Sequence, residues 1–156
     1  MPAPVVYVYT ALEFVTAAKM NNDGDQLQIA LDAIYEPVVL PIVLNTETSL
    51  TTGDDAYEFH IPSKMNGWTI TDATASRSAG TGTLTLQLHN ITDGVDVFST
   101  RLTIDSGETS SETAATAVVI NTSNDDLATA DRFRIDIDDA GTGTKNATIN
   151  IEFTRP

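Results

Sequence analysis

The chain contains no cysteine, which excludes disulfides, thiolate-bound zinc and a thiol nucleophile. Basic residues are scarce: 8 Lys and Arg stand against 22 Asp and Glu in 156 residues, for a net charge of −14. A surface this acidic has no electrostatic means of gripping nucleic acid or an anionic membrane. Long hydrophobic runs are also missing. The most apolar stretch, Val38 to Leu44, is short and interrupted by Pro41, whereas a spanning helix needs about 20 apolar residues. The start, Met1-Pro2-Ala3-Pro4, lacks the basic and then apolar pattern of a secretory signal. The Asn-x-Ser/Thr triplets at Asn90, Asn121 and Asn146 are therefore not expected to carry glycans.

What is present is Thr, Ala, Asp and Ser, a mix that suits polar strand faces and turns. The length implies one domain with an appended arm. The expected division is an arm over residues 1–37 and a β-domain over 38–156. The arm holds the helix candidate of the chain, from Ala17 to Tyr35, with Thr16 placed to cap it and Pro37 to end it. Met20, Leu27 and Ile34 recur every seven residues, and Leu27, Leu31 and Ile34 follow the i, i+4, i+7 spacing of one apolar face. Gly24 weakens this helix by about 1 kcal/mol. Such a helix is marginal alone and needs a surface to lie on, either its own β-domain or neighbouring copies. Met20, Leu27, Leu31 and Ile34 are thus the candidate anchor or oligomer interface.

From Pro37 onward the pattern is strands and turns. The run Val38 to Leu44 suits a strand covered on both sides. Further strands are expected at Tyr57–Ile61, Trp68–Ser76, Gly82–Asn90, Ala117–Asn121, Asp131–Asp138 and Asn146–Thr154. Val95–Asp105 reads as a strand with a bulge near Ser99-Thr100, because its apolar pairs change phase there. Leu84, Leu86 and Leu88 alternate with Thr85 and Gln87, the clearest half-buried strand. Gly53-Asp54-Asp55, Asn66-Gly67, Ala79-Gly80-Thr81-Gly82, Thr92-Asp93-Gly94, Ser106-Gly107 and Gly141-Thr142-Gly143 read as turns. About eight short strands separated by turns predict a mainly β fold, an antiparallel β-sandwich or barrel with one N-terminal α-helical arm; eight is the strand number of a jelly roll, but the count does not distinguish it from another sandwich.

Residues that could carry chemistry have plainer readings. His60 and His89 fall in strands near acids and hydroxyls, but a serine–histidine–acid trio can be picked from any such sequence, so no catalytic residue is assigned and no enzyme is expected. Asn21-Asn22-Asp23-Gly24-Asp25 and Asp136-Ile137-Asp138-Asp139 offer oxygen ligands to calcium, yet the EF-hand spacing is absent and no metal or cofactor is expected. Gly80-Thr81-Gly82-Thr83 lacks the lysine of a phosphate loop and runs into a strand. Tyr57 and Trp68 are candidate aromatic contacts, either a sugar platform or a surface between chains.

Two stretches resemble known proteins. Phe14-Val15-Thr16-Ala17-Ala18-Lys19-Met20-Asn21-Asn22 resembles the N-terminal phrase of many phage fibre and virion-attached proteins, where it opens a short anchoring helix. Asp23-Gly24-Asp25 stands here where those proteins usually carry Ile-Glu-(Asn/Asp)-Gly. The second stretch covers about residues 57 to 154. Its markers are Phe59-His60-Ile61-Pro62, Gly67-Trp68-Thr69-Ile70, Ala79 to Asn90, Asp96 to Thr100, Leu102 to Glu108, Asp125-Asp126 and Asp131 to Asp138. It looks like a small β-sandwich of phage head-decoration, head-fibre and tail-associated proteins. The resemblance implies a trimeric, jelly-roll-like β-sandwich module on a virion, and the role expected for it is that of a homotrimeric capsid decoration or cement protein on the outer surface of the phage head. Its partners would be its own copies and the major capsid protein. A tail or baseplate short fibre touching the host shares these features, and a carbohydrate-binding module is the further alternative.

Overall fold

A computed structural model describes residues 37–156. The expected helix and its residues Met20, Leu27, Leu31 and Ile34 lie outside the described residues. The described part is mainly β and antiparallel, and it does not close into a barrel.

The strands are β1 (Val38–Val43), β2 (Gly53–His60), β3 (Thr69–Ser76), β4 (Ala79–Thr81), β5 (Leu84–Asn90), β6 (Val95–Asp96), β7 (Phe98–Thr100), β8 (Leu102–Ile104), β9 (Val119–Ile120), β10 (Arg132–Asp139), β11 (Thr142–Lys145) and β12 (Thr148–Thr154). The first sheet has the order β1-β12-β3. The second has the order β2-β10-β5, with β6 and β8 both pairing the far side of β5. Two ribbons, β11-β4 and β7-β9, complete the pairing.

Alternation explains the core. Leu84, Leu86 and Leu88 of β5, Phe133, Ile135 and Ile137 of β10, and Ile149, Ile151 and Phe153 of β12 all turn inward and are buried. Side chains from both sheets join one apolar cluster, and each fully buried large side chain contributes roughly 1.5–3 kcal/mol. Phe59 stacks on Phe133 with ring centroids 5.6 Å apart, a favourable aromatic spacing.

The two sheets meet differently at their two sides. On one side β3 lies against β8, and the helical turn Ser111–Thr113 touches both. Ser111 Oγ accepts from the Ala75 N–H at 2.8 Å. Arg77, only 3% exposed, staples this side. Its Nε donates to Glu108 O at 3.0 Å, and its Nη2 donates to Gly82 O at 2.8 Å and Asp105 O at 3.0 Å. A longer bond from Nη1 reaches Thr144 Oγ1. All four acceptors are neutral oxygens, so the guanidinium serves as a multi-armed donor to three partly buried loop carbonyls and a buried hydroxyl. On the other side stand the outer strands β1 and β2.

Several sequence expectations need correction. The strand over Val38–Val43 exists, but it is not covered on both sides: only Ile42 of its six residues is buried. Gly53-Asp54-Asp55 is the start of β2 rather than a turn. The β10–β2 register shifts there, and Asp55 takes a left-handed conformation (φ 60°) that Asp tolerates. The Asp55 N–H donates to Asp136 Oδ1 at 3.0 Å. Ala79–Thr81 and Thr142–Lys145 also pair, as β4 and β11. Their glycines permit close approach: a Cβ on Gly80 would stand 2.9 Å from the Thr144 Cα.

Val95–Asp105 is not one bulged strand but three short ones, interrupted at Val97 and Arg101. Gln87 accounts for the first break. Its Oε1 accepts from the Phe98 N–H at 3.0 Å, and its Nε2 donates to the Phe98 carbonyl at 3.0 Å. A side-chain amide thus takes the place of a strand's peptide group. This lets the chain leave β5 at Phe98, just after the Val97 N–H has donated to Leu88 O at 2.8 Å, without orphaning buried backbone.

Candidate functional site

Of the two outer strands, β2 is blunted in the ordinary way. It carries Asp54, Asp55 and Glu58, and charge on an edge discourages pairing with another chain. These carboxylates face arginines of β10. Arg132 Nη2 lies 2.8 Å from Glu58 Oε2. Arg134 Nε lies 2.9 Å from Asp136 Oδ1, and its two Nη atoms reach Asp55 and Asp54. The hydrogen bond and charge of Glu58 hold Arg132 above its ordinary pKa. Burial draws Arg134 down, but the bond and charge of Asp136, with Asp55 and Asp54, outweigh this and hold it above its ordinary value. Both groups therefore stay cationic and ion-paired with the carboxylates around them.

The edge made by β1 differs. Its sequence, Val38-Val39-Leu40-Pro41-Ile42-Val43, has no charged side chain, and the uncharged stretch continues to Thr46. Val39 is 50% exposed and Val43 56%. Val38 and Leu40 are exposed as well, although their register partners on β12, Phe153 and Ile151, are buried. Backbone phase follows from the register. The Leu44 N–H donates to Ala147 O, so even-numbered residues of β1 bond β12, while residues 39, 41 and 43 turn their backbone outward. Pro41 thus stands at an outward position, where it has no N–H to offer. The strand presents an apolar ridge whose capacity to accept another strand is interrupted in the middle.

The structure separates the two candidate aromatics. Tyr57 lies on β2 at the edge of one sheet and is 44% exposed. Trp68 leads into β3 of the other sheet, where it packs partly buried against the core. The Arg155 guanidinium sits 5.1 Å from the Trp68 ring centroid, a cation–π distance. Placed on separate sheets, the pair makes no shared flat platform.

The histidines also lie apart. His60 is exposed on β2, opposite Arg132. His89 pairs across strands with Asp96, at 2.7 Å from Nδ1 to Oδ1. The acidic run of β10 is already engaged: Asp136 with Arg134, Asp138 with Arg101, and Asp139 with the Gly141 N–H. Among the described residues no group of three or more His, Asp or Glu is placed to hold a metal ion. Sequence reasoning missed the β1 ridge as a surface. The available signal was Pro41, which argues against a central strand.

No protein-family model, no curated protein and no solved structure matches the chain.

Proposed function

We propose that this chain is a structural protein of a phage particle, a homotrimeric decoration or cement protein on the outer surface of the head. The fold part of this reading is a jelly-roll sandwich preceded by a helical arm. The observation that carries it is strand order. One layer runs β1-β12-β3, with residues 125–127 hydrogen-bonded along the start of β3. The other runs β2-β10-β5-β8. A three-stranded layer extended by the 125–127 segment, together with a layer in the order β2-β10-β5-β8, suits a jelly roll, an architecture common in capsid proteins. A fold does not carry a function by itself. The added support is the sequence resemblance to phage decoration proteins and the apolar stripe Met20, Leu27, Leu31 and Ile34 ahead of the domain. Three linked weak contacts would hold such a protein on the shell through effective concentration.

Deleting residues 1–35 tests the arm. The expected result is loss of the protein from purified phage particles while the β-domain stays folded. Unchanged occupancy would defeat the anchoring role. Electron microscopy of labelled particles separates this reading from a tail or baseplate fibre: label over the head supports it, and label at the tail replaces it.

A further inference from the structure

We propose that β1 is the surface through which copies of this chain meet, with three β1 ridges converging on a threefold axis. The inference rests on the homotrimer proposed above and names its contact. Four observations point to a second copy as the occupant.

The first is charge. The chain carries −14, so most face-to-face contacts between copies bring carboxylates together. Residues 37–46 contain no charged side chain, so the strand itself adds no like-charge repulsion where copies approach, the one carboxylate opposite it in register being Glu152 across from Val39. The second is exposure. Val38, Val39, Leu40 and Val43 make up four of the six large exposed hydrophobics among the described residues, and all four lie on β1, Val38 and Leu40 on the face shared with Phe153 and Ile151 and Val39 and Val43 on the other. A cluster of this kind marks an interaction surface rather than scattered surface residues.

The third is Pro41. Because its outward backbone position lacks an N–H, a copy cannot extend the sheet continuously past β1. Contact through side chains is favoured over strand addition, and side-chain contact around a rotation axis closes into a finite assembly. The fourth is position. Val38 follows Ile34 of the arm's apolar stripe by only four residues. Subunits joined at β1 would therefore start their arms from a common axis.

Light scattering and sedimentation of the full-length chain test this, comparing the native protein with the double variant Val39→Glu/Val43→Glu. Each trimer would gather six new carboxylates at its axis. The expected result is a fall in particle mass of about threefold, with an unchanged circular dichroism spectrum. Val119→Glu, at an exposed residue on β9, is the charge control and should leave the mass unchanged. A double variant that remains trimeric overturns the inference while leaving the decoration reading intact. A native chain that is monomeric in solution and on the particle overturns both.

Val43→Cys covers the case in which the double variant misfolds. The native chain has no cysteine, so mild oxidation of this variant by a copper–phenanthroline complex can join only the introduced thiol of one copy to the same thiol of another. The complex takes up the two electrons and the two thiol protons are released. A disulfide-linked pair on a non-reducing gel supports the β1 contact, and its absence from a trimeric preparation overturns it.

Discussion

The two sides of the β-domain solve the same problem in opposite ways. Where β3 meets β8, the gap between sheets is sealed from within the chain by a helical turn, the Ser111 hydroxyl and the buried Arg77. Where β1 and β2 stand, the segment joining them is tied down by the neutral Asn45 amide, which donates to Thr144 O and accepts from the Ala147 N–H, and by Leu44 and Leu50 against the core, but the outer edge of β1 itself has no partner among the described residues. β2 is guarded by carboxylates and arginines, and β1 is left apolar with a proline at its centre. Buried polar groups that find every partner specify one arrangement. An unsealed apolar edge instead leaves binding energy available to another surface. The contrast separates the part of the molecule that fixes its fold from the part left free to associate.

Removing the seal should have the largest effect. Arg77→Met strips donors from the partly buried carbonyls of Gly82, Asp105 and Glu108, and three acceptors losing their partner together make the expected loss about 3 kcal/mol. Urea unfolding measures it. A loss below about 1 kcal/mol would mean that apolar contact alone closes that side.

Gln87→Leu comes next. It leaves the N–H and carbonyl of Phe98 without their amide partner, at an expected cost of about 2 kcal/mol. Slower hydrogen exchange of the Phe98 amide in this variant would contradict the proposed role.

The smallest stability effect is expected at the open edge. Pro41→Ala should change unfolding free energy by no more than about 0.5 kcal/mol. Yet it restores an outward N–H and should drive association beyond the trimer, read as a concentration-dependent rise in scattered light. Scattering identical to the native protein would show that the proline is not the brake on strand addition.

Much of the strand pattern was legible because alternation is local. β5, β10 and β12 each carry apolar residues two apart, and a sheet with one face on a core needs just that. The error at β1 has a physical cause. An apolar run reports that the strand wants to be covered, but not whether the cover belongs to the same chain. The ribbons β4 and β11 were hidden because glycine weakens every strand signal, while here it permits the approach of Gly80 to Thr144. Arg77 and Gln87 were invisible for another reason. Their partners lie between 5 and 67 residues away in sequence for Arg77, and 11 away for Gln87, and no short-range pattern encodes such bonds. Of the surface residues expected to act, Tyr57 is exposed as a contact residue must be, whereas Trp68 is engaged with the core and Arg155.

The interleaving of the sheets has a mechanical consequence. β12 pairs with β1 from more than a hundred positions upstream, joining Val38 to Phe153, and β10 likewise clasps β2. Cutting the polypeptide in the middle would leave neither fragment with a whole layer. The domain should therefore melt in one cooperative step and gather its native state slowly, as proteins rich in distant pairings do. A nicked molecule would hold together only as long as both pieces stayed knitted.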